Sequence, residues 1–375
     1  MTKDVLIIGA GAIGRGFLPW VLPQNQFNLN FIDTDQKIIS DMQKRRHYDT
    51  YKIKDNQLIK LGVSVKNAWL PEQFLKEHKK HKNFELIFVN VGPRNCFLAT
   101  QLMKGSDTPT LVCENDPSCV NNIYINLKRS YFAIPDVITS NYAPNHILIN
   151  DNLSVITEEG FLFYDDSVKN DFIIGNACNK TELEKHWIAK LYLHNTPHCV
   201  AAYLGALENL TYVHEVMHVD TLANVVHGCM NEMLQMLKRH WNFSQDFLDA
   251  YAKKELARFS NVLLYDPISR VAREPFRKLK LNGRLIGASQ LCLSQGIVPD
   301  NTLIGIVSAL LFESKSDVDQ HLQFTRKNLS QHHFFRYILG LREGEALEII
   351  LNTRLTHLIE KTCSLMNNSC NANVL

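Results

Sequence analysis

Short apolar runs alternate with helical patterns over the first part of the chain. The clearest runs cover residues 4–8, 28–32, 86–91 and 110–113, and each has the length of a buried strand. Stretches with helical periodicity separate these runs up to about residue 165. Such an alternation is typical of βα units that build a mainly parallel sheet.

Two further patterns change along the chain. Residues 50–65 alternate apolar and polar positions around Asp55 and Asn56, which predicts a small hairpin insertion. Beyond about residue 181 the strand patterns disappear, and long helical patterns follow at residues 222–241, 246–259, 302–312 and 347–366. We therefore predict two domains, an α/β domain over residues 1–180 and a mainly α-helical domain over residues 181–375.

The first apolar run leads directly into three spaced glycines. Gly9 permits the tight turn after the strand, Gly11 lets the backbone approach a pyrophosphate, and Gly14 lets helix and strand pack closely. Asp33 ends the second strand about twenty residues later, where an acid accepts bonds from ribose hydroxyls but repels a 2′-phosphate. The pattern predicts a Rossmann-type doubly wound sheet that binds NAD rather than NADP.

The ends of two later strands face the same edge of such a sheet, where open α/β sheets bind ligands. One strand ends at Val91 and Gly92, and the other ends at Glu114 and Asn115. The predicted cofactor-binding residues are Gly9, Gly11, Ile13, Gly14, Asp33, Val91 and Gly92.

Composition excludes several classes of protein. The 375 residues carry 40 Lys and Arg against 38 Asp and Glu, a formal charge of +2, so we expect no nucleic-acid or membrane partner. The nine cysteines include no Cys-x-x-Cys pair, which favours a reducing compartment over a disulfide framework. We expect a cytoplasmic protein that acts on a small molecule, and the sequence predicts no protein partner.

One segment of the second domain carries candidate chemistry. Lys190 is followed by Asn195 and His198. On an α-helix these three residues fall within an arc of about 140°, so they could converge on one substrate. From the spacing alone, Lys190 could equally be a surface lysine.

The same segment carries a resemblance. Lys-x-x-x-x-Asn-x-x-His at residues 190–198 is similar to the active-site pattern of the mannitol dehydrogenase family, the long-chain polyol dehydrogenases. The likeness extends to Gly-x-Gly-x-Ile-Gly-Arg-Gly-Phe at residues 9–17, Val91-Gly92-Pro93, Cys113-Glu114-Asn115, and the basic block at residues 270–279. It therefore covers nearly the whole chain.

The resemblance implies an NAD-dependent, metal-independent hydride transfer. Its most specific form interconverts D-mannitol 1-phosphate and D-fructose 6-phosphate. In that reaction Lys190 serves as general base, while Asn115 and Asn195 donate hydrogen bonds to the developing alkoxide. His198 orients the substrate or shares the proton.

A phosphorylated substrate needs fixed cations. Candidate donors are Arg270, Arg273, Arg277, Lys278 and Arg284, of which the arginines offer forks suited to phosphate. The position of Arg273 and Lys278 inside the family block makes them the predicted phosphate-binding residues.

The chain departs from the family in three informative places. The expected Val-Asp-Arg-Ile-x-Pro pattern is replaced near residue 140 by Ile-Thr-Ser-Asn-Tyr-Ala-Pro at residues 138–144. The family's tryptophan after the next strand is Phe163, and the glycine of the basic block is Ala272. These changes leave two alternatives open: a dehydrogenase of another polyol, polyol phosphate or sugar acid, and an idle NAD-binding homologue.

A distant alternative comes from His-Glu-Val-Met-His at residues 214–218. Two histidines one helical turn apart with a glutamate between them match the zinc-metallopeptidase pattern. A third ligand is poorly placed, since His227 and Glu232 are only loose candidates. We therefore predict an ordinary amphipathic helix here, with no bound metal.

Overall fold

A computed structural model describes residues 2–23, 25–77, 84–123, 127–143, 145–148, 151–169, 173–281, 283–313 and 317–366. The chain divides into two compact units, Met1–Trp187 and Ile188–Leu375. The boundary lies inside a helix, between Trp187 and Ile188, whereas the sequence patterns place it between residues 180 and 181.

The first unit is built on a mixed sheet. Its eleven strands within the described residues are β1 (Lys3–Ile8), β2 (Phe27–Ile32), β3 (His47–Lys54), β4 (Gln57–Trp69), β5 (Leu86–Val89), β6 (Thr110–Val112), β7 (Ser130–Asp136), β8 (Thr139–Ser140), β9 (Val155–Glu158), β10 (Phe161–Asp165) and β11 (Asn176–Cys178). They are ordered β11-β10-β7-β6-β5-β1-β2-β4-β3-β9-β8. β1 pairs in parallel with β2 on one side and with β5 on the other.

Successive residues of β1 enter different hydrophobic clusters. Val5 and Ile7 belong to one cluster, and Leu6 and Ile8 belong to the other. Because side chains alternate across a strand, this central strand is covered on both faces. After β2 and β4 on one side of β1, the chain continues with β5 on the other side. The strand order therefore reverses at β1, the point where doubly wound sheets bind ligands.

The predicted hairpin is present but is more than an insertion. β3 and β4 pair antiparallel, and Asp55 and Asn56 form the turn with φ of 49° and 58°. Positive φ at both central residues is the geometry of a tight hairpin turn. β4 also pairs in parallel with β2, so the hairpin extends the central sheet.

Short helices connect these strands. They are α1 (Leu18–Val21), α2 (Gln36–Arg45), α3 (Pro71–Glu77), α4 (Cys96–Gln101), α5 (Ser118–Ile123) and α6 (Asn145–Leu148), followed by α7 (Lys180–Ala189), which crosses the unit boundary. A π-helical turn, Ile13–Phe17, precedes α1. The first departure from the family lies on β8, where Thr139 and Ser140 are buried; Pro144 is outside the described residues.

The described part of the second unit is helical. Its helices are α8 (Thr196–Leu207), α9 (Val213–Met217), α10 (Asp220–Trp241), α11 (Gln245–Phe259), α12 (Ile268–Val271), α13 (Pro275–Leu279), α14 (Ile286–Ser294), α15 (Asp300–Leu311), α16 (Asp317–Asn328), α17 (Gln331–His333) and α18 (Ala346–Ser364). α8 and α15 pack together, and nearly all their residues are buried. The predicted fold class is confirmed.

Among the helices of the described residues, none is both long and apolar enough to cross a bilayer.

Candidate functional site

The turn after β1 requires glycine at two positions. Gly9 has φ of 101°, and a Cβ added there would lie 2.6 Å from the carbonyl oxygen of Asn90. A Cβ on Gly14 would overlap the carbonyl oxygen of Gly9. Gly11 differs, because an added Cβ would meet no atom within 4 Å. Other atoms therefore pack closely against Gly9 and Gly14, while the space beside Gly11 is open. A backbone that receives a pyrophosphate requires such a space.

Asp33 is fixed beside this turn. It directly follows β2, and its Oδ2 accepts a hydrogen bond from the backbone N–H of Ala10 at 2.6 Å. Its Oδ1 accepts from the backbone N–H of Asp35 at 2.9 Å. These bonds hold the carboxylate at the carboxyl edge of the sheet, where each oxygen keeps a second lone pair for a ligand hydroxyl.

A cavity of about 510 Å³ opens at the same edge. Its lining includes the predicted residues Gly9, Gly11, Asp33 and Val91, together with apolar side chains such as Leu98. The other predicted residues, Ile13, Gly14 and Gly92, are outside this lining. An apolar cleft with one fixed carboxylate fits a nucleoside.

Asn90 and Arg15 support the turn, and the sequence analysis assigned no role to either. The side-chain amide of Asn90 donates to the carbonyl oxygen of Gly9 at 2.5 Å. Arg15 is buried, and it donates to the carbonyl oxygens of Ala10 at 2.5 Å and Asn152 at 2.7 Å. Burial lowers the pKa of Arg15. Both side chains fix the backbone of the turn.

The loops that follow β5 and β6 are joined. The backbone N–H of Gly92, which has φ of 85°, donates to Oε1 of Glu114 at 2.7 Å. Asn115 is the next residue, and its carbonyl oxygen accepts a bond from Nε1 of Trp187 at 3.0 Å. Asn115 is exposed. The first unit therefore fixes the backbone of Asn115 and leaves this residue open to solvent.

The second unit contains the other three candidates on one continuous helical run. Lys190, Asn195 and His198 are buried, with exposed fractions of 7%, 6% and 5%. Residues Lys190–Asn195 form a π-helical turn that leads into α8. The expected α-helical arc was wrong for this turn, because i→i+5 hydrogen bonding places residues five apart one turn above each other. Lys190 and Asn195 consequently lie closer to one face than the spacing predicted.

His198 belongs to a buried charged group that the sequence analysis missed. Its Nε2 lies 2.7 Å from Oδ2 of Asp266, whose Oδ1 accepts from Arg270 at 2.5 Å. Burial acts to raise the pKa of Asp266, but the charges of Arg270 and His198 outweigh it and hold that pKa well below its ordinary value. Asp266 is therefore a carboxylate, and Nε2 of His198 carries the hydrogen that it accepts.

His194 has a second buried partner. Its Nδ1 lies 2.5 Å from Oε2 of Glu255, and Oε1 of the same carboxylate accepts from Arg258 at 2.8 Å. Burial lowers the pKa of His194 to about 4, although Glu255 acts in the opposite direction. His194 is therefore neutral near pH 7 and donates a hydrogen bond to Glu255, whose charge is balanced by Arg258 and Lys254.

Replacing Asp266 by asparagine is expected to reduce the free energy of unfolding by about 1–3 kcal/mol at pH 7, since it removes charge-assisted bonds to the buried His198 and the half-buried Arg270. The pKa of Asp266 is depressed on folding, so this contribution is complete above the ordinary pKa of about 3.9. It is lost as pH falls through the lower value of the folded state. Urea unfolding of both proteins at pH 7 and at a pH well below about 3.9 measures the difference, which should shrink at the lower pH.

The control is Asp300→Asn. Asp300 pairs with Arg354 at 2.8 Å, but the two side chains are 46% and 37% exposed. Such exposed pairs contribute about 1 kcal/mol or less. Equal losses in the two variants at pH 7 would contradict the role given to the buried pair.

The predicted phosphate residues lie in different environments. Arg273 is exposed, and its Nε donates to the carbonyl oxygen of Arg270 at 3.1 Å. Lys278 is buried; its ammonium donates to the carbonyl oxygen of Val271 and lies 5.3 Å from the ring centroid of Tyr203. Burial lowers the pKa of Lys278 to about 7.

Two arginines add to the positive charge around Lys278. Arg284 and Arg277 both act to lower the pKa of Lys278. Arg277 is paired with Glu274 at 2.9 Å. The carbonyl oxygen of Arg284 accepts from the hydroxyl of Thr196 at 2.8 Å, which connects this basic group to the first residue of α8.

The His-Glu-Val-Met-His segment lies on the short helix α9 except for His218, which directly follows it, and Glu215 supports the start of the helix. Oε2 of Glu215 accepts from the backbone N–H groups of Thr211 at 2.6 Å and Tyr212 at 2.8 Å. His214 stacks on Tyr212, and the ring centroids of His214 and His218 are 6.1 Å apart. Over the described ranges, neither histidine belongs to a group of three close metal-ligating side chains.

Comparison with known proteins identifies relatives over most of the chain. Residues 182–348 match the mannitol dehydrogenase C-terminal domain. The mannitol-1-phosphate 5-dehydrogenase of Caldanaerobacter subterraneus is 28% identical over 346 residues, covering 83% of this chain and 87% of the relative. The enzyme of the same name from Clostridium acetobutylicum is 29% identical over 338 residues, covering 83% and 87%. The resemblance stated from the motifs is thereby confirmed.

A solved structure shares the fold. Mannitol 2-dehydrogenase of Pseudomonas fluorescens, in a ternary complex with NAD and D-mannitol, superimposes with a TM-score of 0.70 at 14% identity. The match covers 93% of this chain and 87% of that one.

Proposed function

We propose that this oxidoreductase interconverts D-mannitol 1-phosphate and D-fructose 6-phosphate with NAD, because residues 182–348 match the mannitol dehydrogenase C-terminal domain. One observation carries the proposal: Lys190, Asn195 and His198 are all buried on one helical run inside the matched region. The shared name of the curated relatives supports the substrate pair.

The first unit offers residues that fit NAD. Gly11 lies under open space where a pyrophosphate can approach the backbone, and Gly9 and Gly14 maintain that turn. Asp33 accepts ribose hydroxyls, and Val91 lines the cavity beside it. Ile13 and Gly92 support the helix start and the neighbouring loop. When bound, NAD⁺ supplies the hydride acceptor for polyol oxidation.

Lys190 acts as the general base. Its neutral amine accepts the proton of the substrate hydroxyl as the carbinol carbon is oxidised, and the ammonium returns that proton in the reverse reaction. Burial of a lysine disfavours its charged form, which suits this role. Asn195 and Asn115 each offer a side-chain amide that donates to the developing alkoxide. The mechanism needs no metal ion.

His198 orients the substrate. Asp266 accepts the hydrogen on Nε2 and thereby fixes the orientation of the imidazole ring. The other ring nitrogen, Nδ1, can then bond a substrate hydroxyl or share its proton. Asp266 is a positioning residue in this scheme, because it acts only through His198.

Lys278 and Arg273 are proposed to bind the substrate phosphate. Lys278 offers a buried ammonium, and Arg273 offers an exposed guanidinium fork. The positive charges of Arg277 and Arg284 near Lys278 favour the binding of an anion at this position.

The charge of Lys278 predicts a pH dependence of specificity. Since the pKa of Lys278 is about 7, its ammonium dominates below pH 7 and is lost above it. The kcat/KM for D-fructose 6-phosphate should therefore fall relative to that for D-fructose by up to about tenfold per pH unit above 7. The ratio of the two substrates cancels every pH dependence that the two reactions share. In Lys278→Met the ratio should be low and independent of pH; a slope like that of the wild type would contradict the assignment.

A substrate panel tests the function itself. Purified protein with NAD⁺ is given D-mannitol 1-phosphate, D-sorbitol 6-phosphate and D-mannitol, and NADH formation is followed by absorbance with and without EDTA. The proposal expects fast turnover of D-mannitol 1-phosphate that EDTA leaves unchanged. Faster turnover of another polyol would assign the site to a different substrate, which the neutral segment at residues 138–144 makes worth testing. NAD binding without turnover of any substrate would contradict an active dehydrogenase.

A further inference from the structure

Three side chains with metal-ligating atoms meet in the first unit, where β11 ends and α7 begins. They are Cys178, Glu182 and His186, and one ligand atom from each lies within 4.8 Å of the others. Over the described residues, they are the single group of three or more His, Cys, Asp and Glu side chains that meets this criterion. None of them belongs to the NAD cavity or to the Lys190 segment.

The local backbone fixes the position of the sulfur. Cys178 is the last residue of β11 and pairs with Asp165 of β10. Its carbonyl oxygen accepts from the backbone N–H of Asp166 at 2.9 Å. Only 2% of Cys178 is exposed. The thiol therefore projects from a well-anchored sheet edge rather than from a loop.

The helix supplies the other two ligands at a favourable spacing. Glu182 and His186 are four residues apart on α7, so both side chains lie on one face. The start of α7 is fixed by Asn179, whose Oδ1 accepts from the backbone N–H of Glu182 at 3.0 Å. The imidazole of His186 stacks on Phe163, with ring centroids 3.9 Å apart and an interplanar angle of 18°. Two of the three ligands are thus held in place before any metal binds.

We propose that Cys178, Glu182 and His186 form a zinc site. Thiolate, imidazole and carboxylate together are the ligand types that Zn²⁺ prefers. Tetrahedral zinc with bonds of about 2.0–2.3 Å places ligand atoms about 3.3–3.8 Å apart, so ligand atoms separated by up to 4.8 Å must approach one another. Glu182 is exposed, and rotation of its side chain can achieve this.

Binding has a defined proton balance. The Cys178 thiol donates to the carbonyl oxygen of Asn176 at 3.5 Å; on binding, the thiol proton passes to solvent and the thiolate sulfur bonds the metal. His186 binds through a neutral ring nitrogen. Three protein ligands leave the fourth position to water or an external ligand, because the Glu182 side of the site faces solvent. The metal would join the edge strand to α7.

Cobalt(II) titration tests this site independently of enzyme activity. The full chain, reduced with a phosphine and freed of metal with EDTA, is titrated with Co²⁺ after the chelator is removed. One equivalent should produce the visible bands of tetrahedral cobalt and a sulfur-to-cobalt charge-transfer band in the near ultraviolet. Zinc should then displace the cobalt and abolish both.

Variants assign the ligands. Cys178→Ser should abolish the charge-transfer band, and Glu182→Gln and His186→Gln should each weaken Co²⁺ binding at least about tenfold, the loss caused even by outer-shell changes. Because Glu182 is exposed, Glu182→Gln should fold like the wild type. This variant therefore keeps the test valid if the other two fold poorly. The matched controls Glu184→Gln on the same helix, Cys363→Ser and His218→Gln should bind like the wild type. A charge-transfer band that survives Cys178→Ser, loss of binding in His218→Gln, or no binding by the wild type would overturn the proposal.

Discussion

Replacing Lys190 by alanine is expected to lower kcat for D-mannitol 1-phosphate by about 10²–10⁴-fold, the usual contribution of a general base. Lys190 is buried on the π-helical turn with Asn195. Alanine removes the group that accepts the hydroxyl proton and leaves the NAD-binding unit unchanged. Steady-state kinetics with D-mannitol 1-phosphate and NAD⁺ measures the loss.

The matched control for Lys190 is Lys180→Ala. Lys180 is an exposed lysine at the start of α7, and its loss should change kcat less than about twofold, as expected of a surface position without a catalytic role. NADH binding, followed by fluorescence, should be equal in both variants and the wild type. Undiminished turnover in Lys190→Ala would assign the proton transfer to another group.

Replacing Asp33 by asparagine should weaken NAD binding by about 10–100-fold, since hydrogen bonds to a charged acceptor contribute about 1.5–3 kcal/mol. The amide keeps an oxygen that can accept from the backbone N–H of Ala10. It also removes the negative charge that repels a 2′-phosphate. NADP should therefore bind more tightly to the variant than to the wild type. Calorimetric titration of both dinucleotides gives the two affinities.

Asp41→Asn provides the comparison for Asp33, because Asp41 is a half-buried acid within α2. Its affinities should match those of the wild type. If wild-type protein already binds NADP as tightly as NAD, the role proposed for Asp33 is wrong.

The elements around the dinucleotide turn could be predicted because their causes are local in sequence. The turn follows an apolar strand and is determined by Gly9 and Gly14, beside a second strand that ends at Asp33. The conformation allowed at each of these positions depends on the residue itself and its immediate neighbours. The hairpin turn at Asp55 and Asn56 was predictable for the same reason. The parallel pairing of β4 with β2 could not be predicted, since it depends on contacts between distant segments.

The partners of the two buried histidines could not be predicted. Asp266 lies 68 positions from His198, and Glu255 lies 61 positions from His194. No local pattern links such residues, because only the packing of the helices brings them together. The π-helical turn at Lys190–Asn195 was also missed, since spacing was interpreted with α-helical geometry. The cluster of Cys178 with Glu182 and His186 was overlooked because the sequence search considered paired cysteines and paired histidines.

The most direct test of the account follows the hydride itself. Wild-type protein is incubated with D-fructose 6-phosphate and NADH that is fully deuterated at the transferring carbon of the nicotinamide, and the hexitol phosphate product is analysed by mass spectrometry. The account predicts D-mannitol 1-phosphate that carries one deuterium on the former carbonyl carbon. A hexitol phosphate without deuterium, or labelled product from D-fructose alone, would contradict NAD-dependent reduction of the phosphorylated sugar.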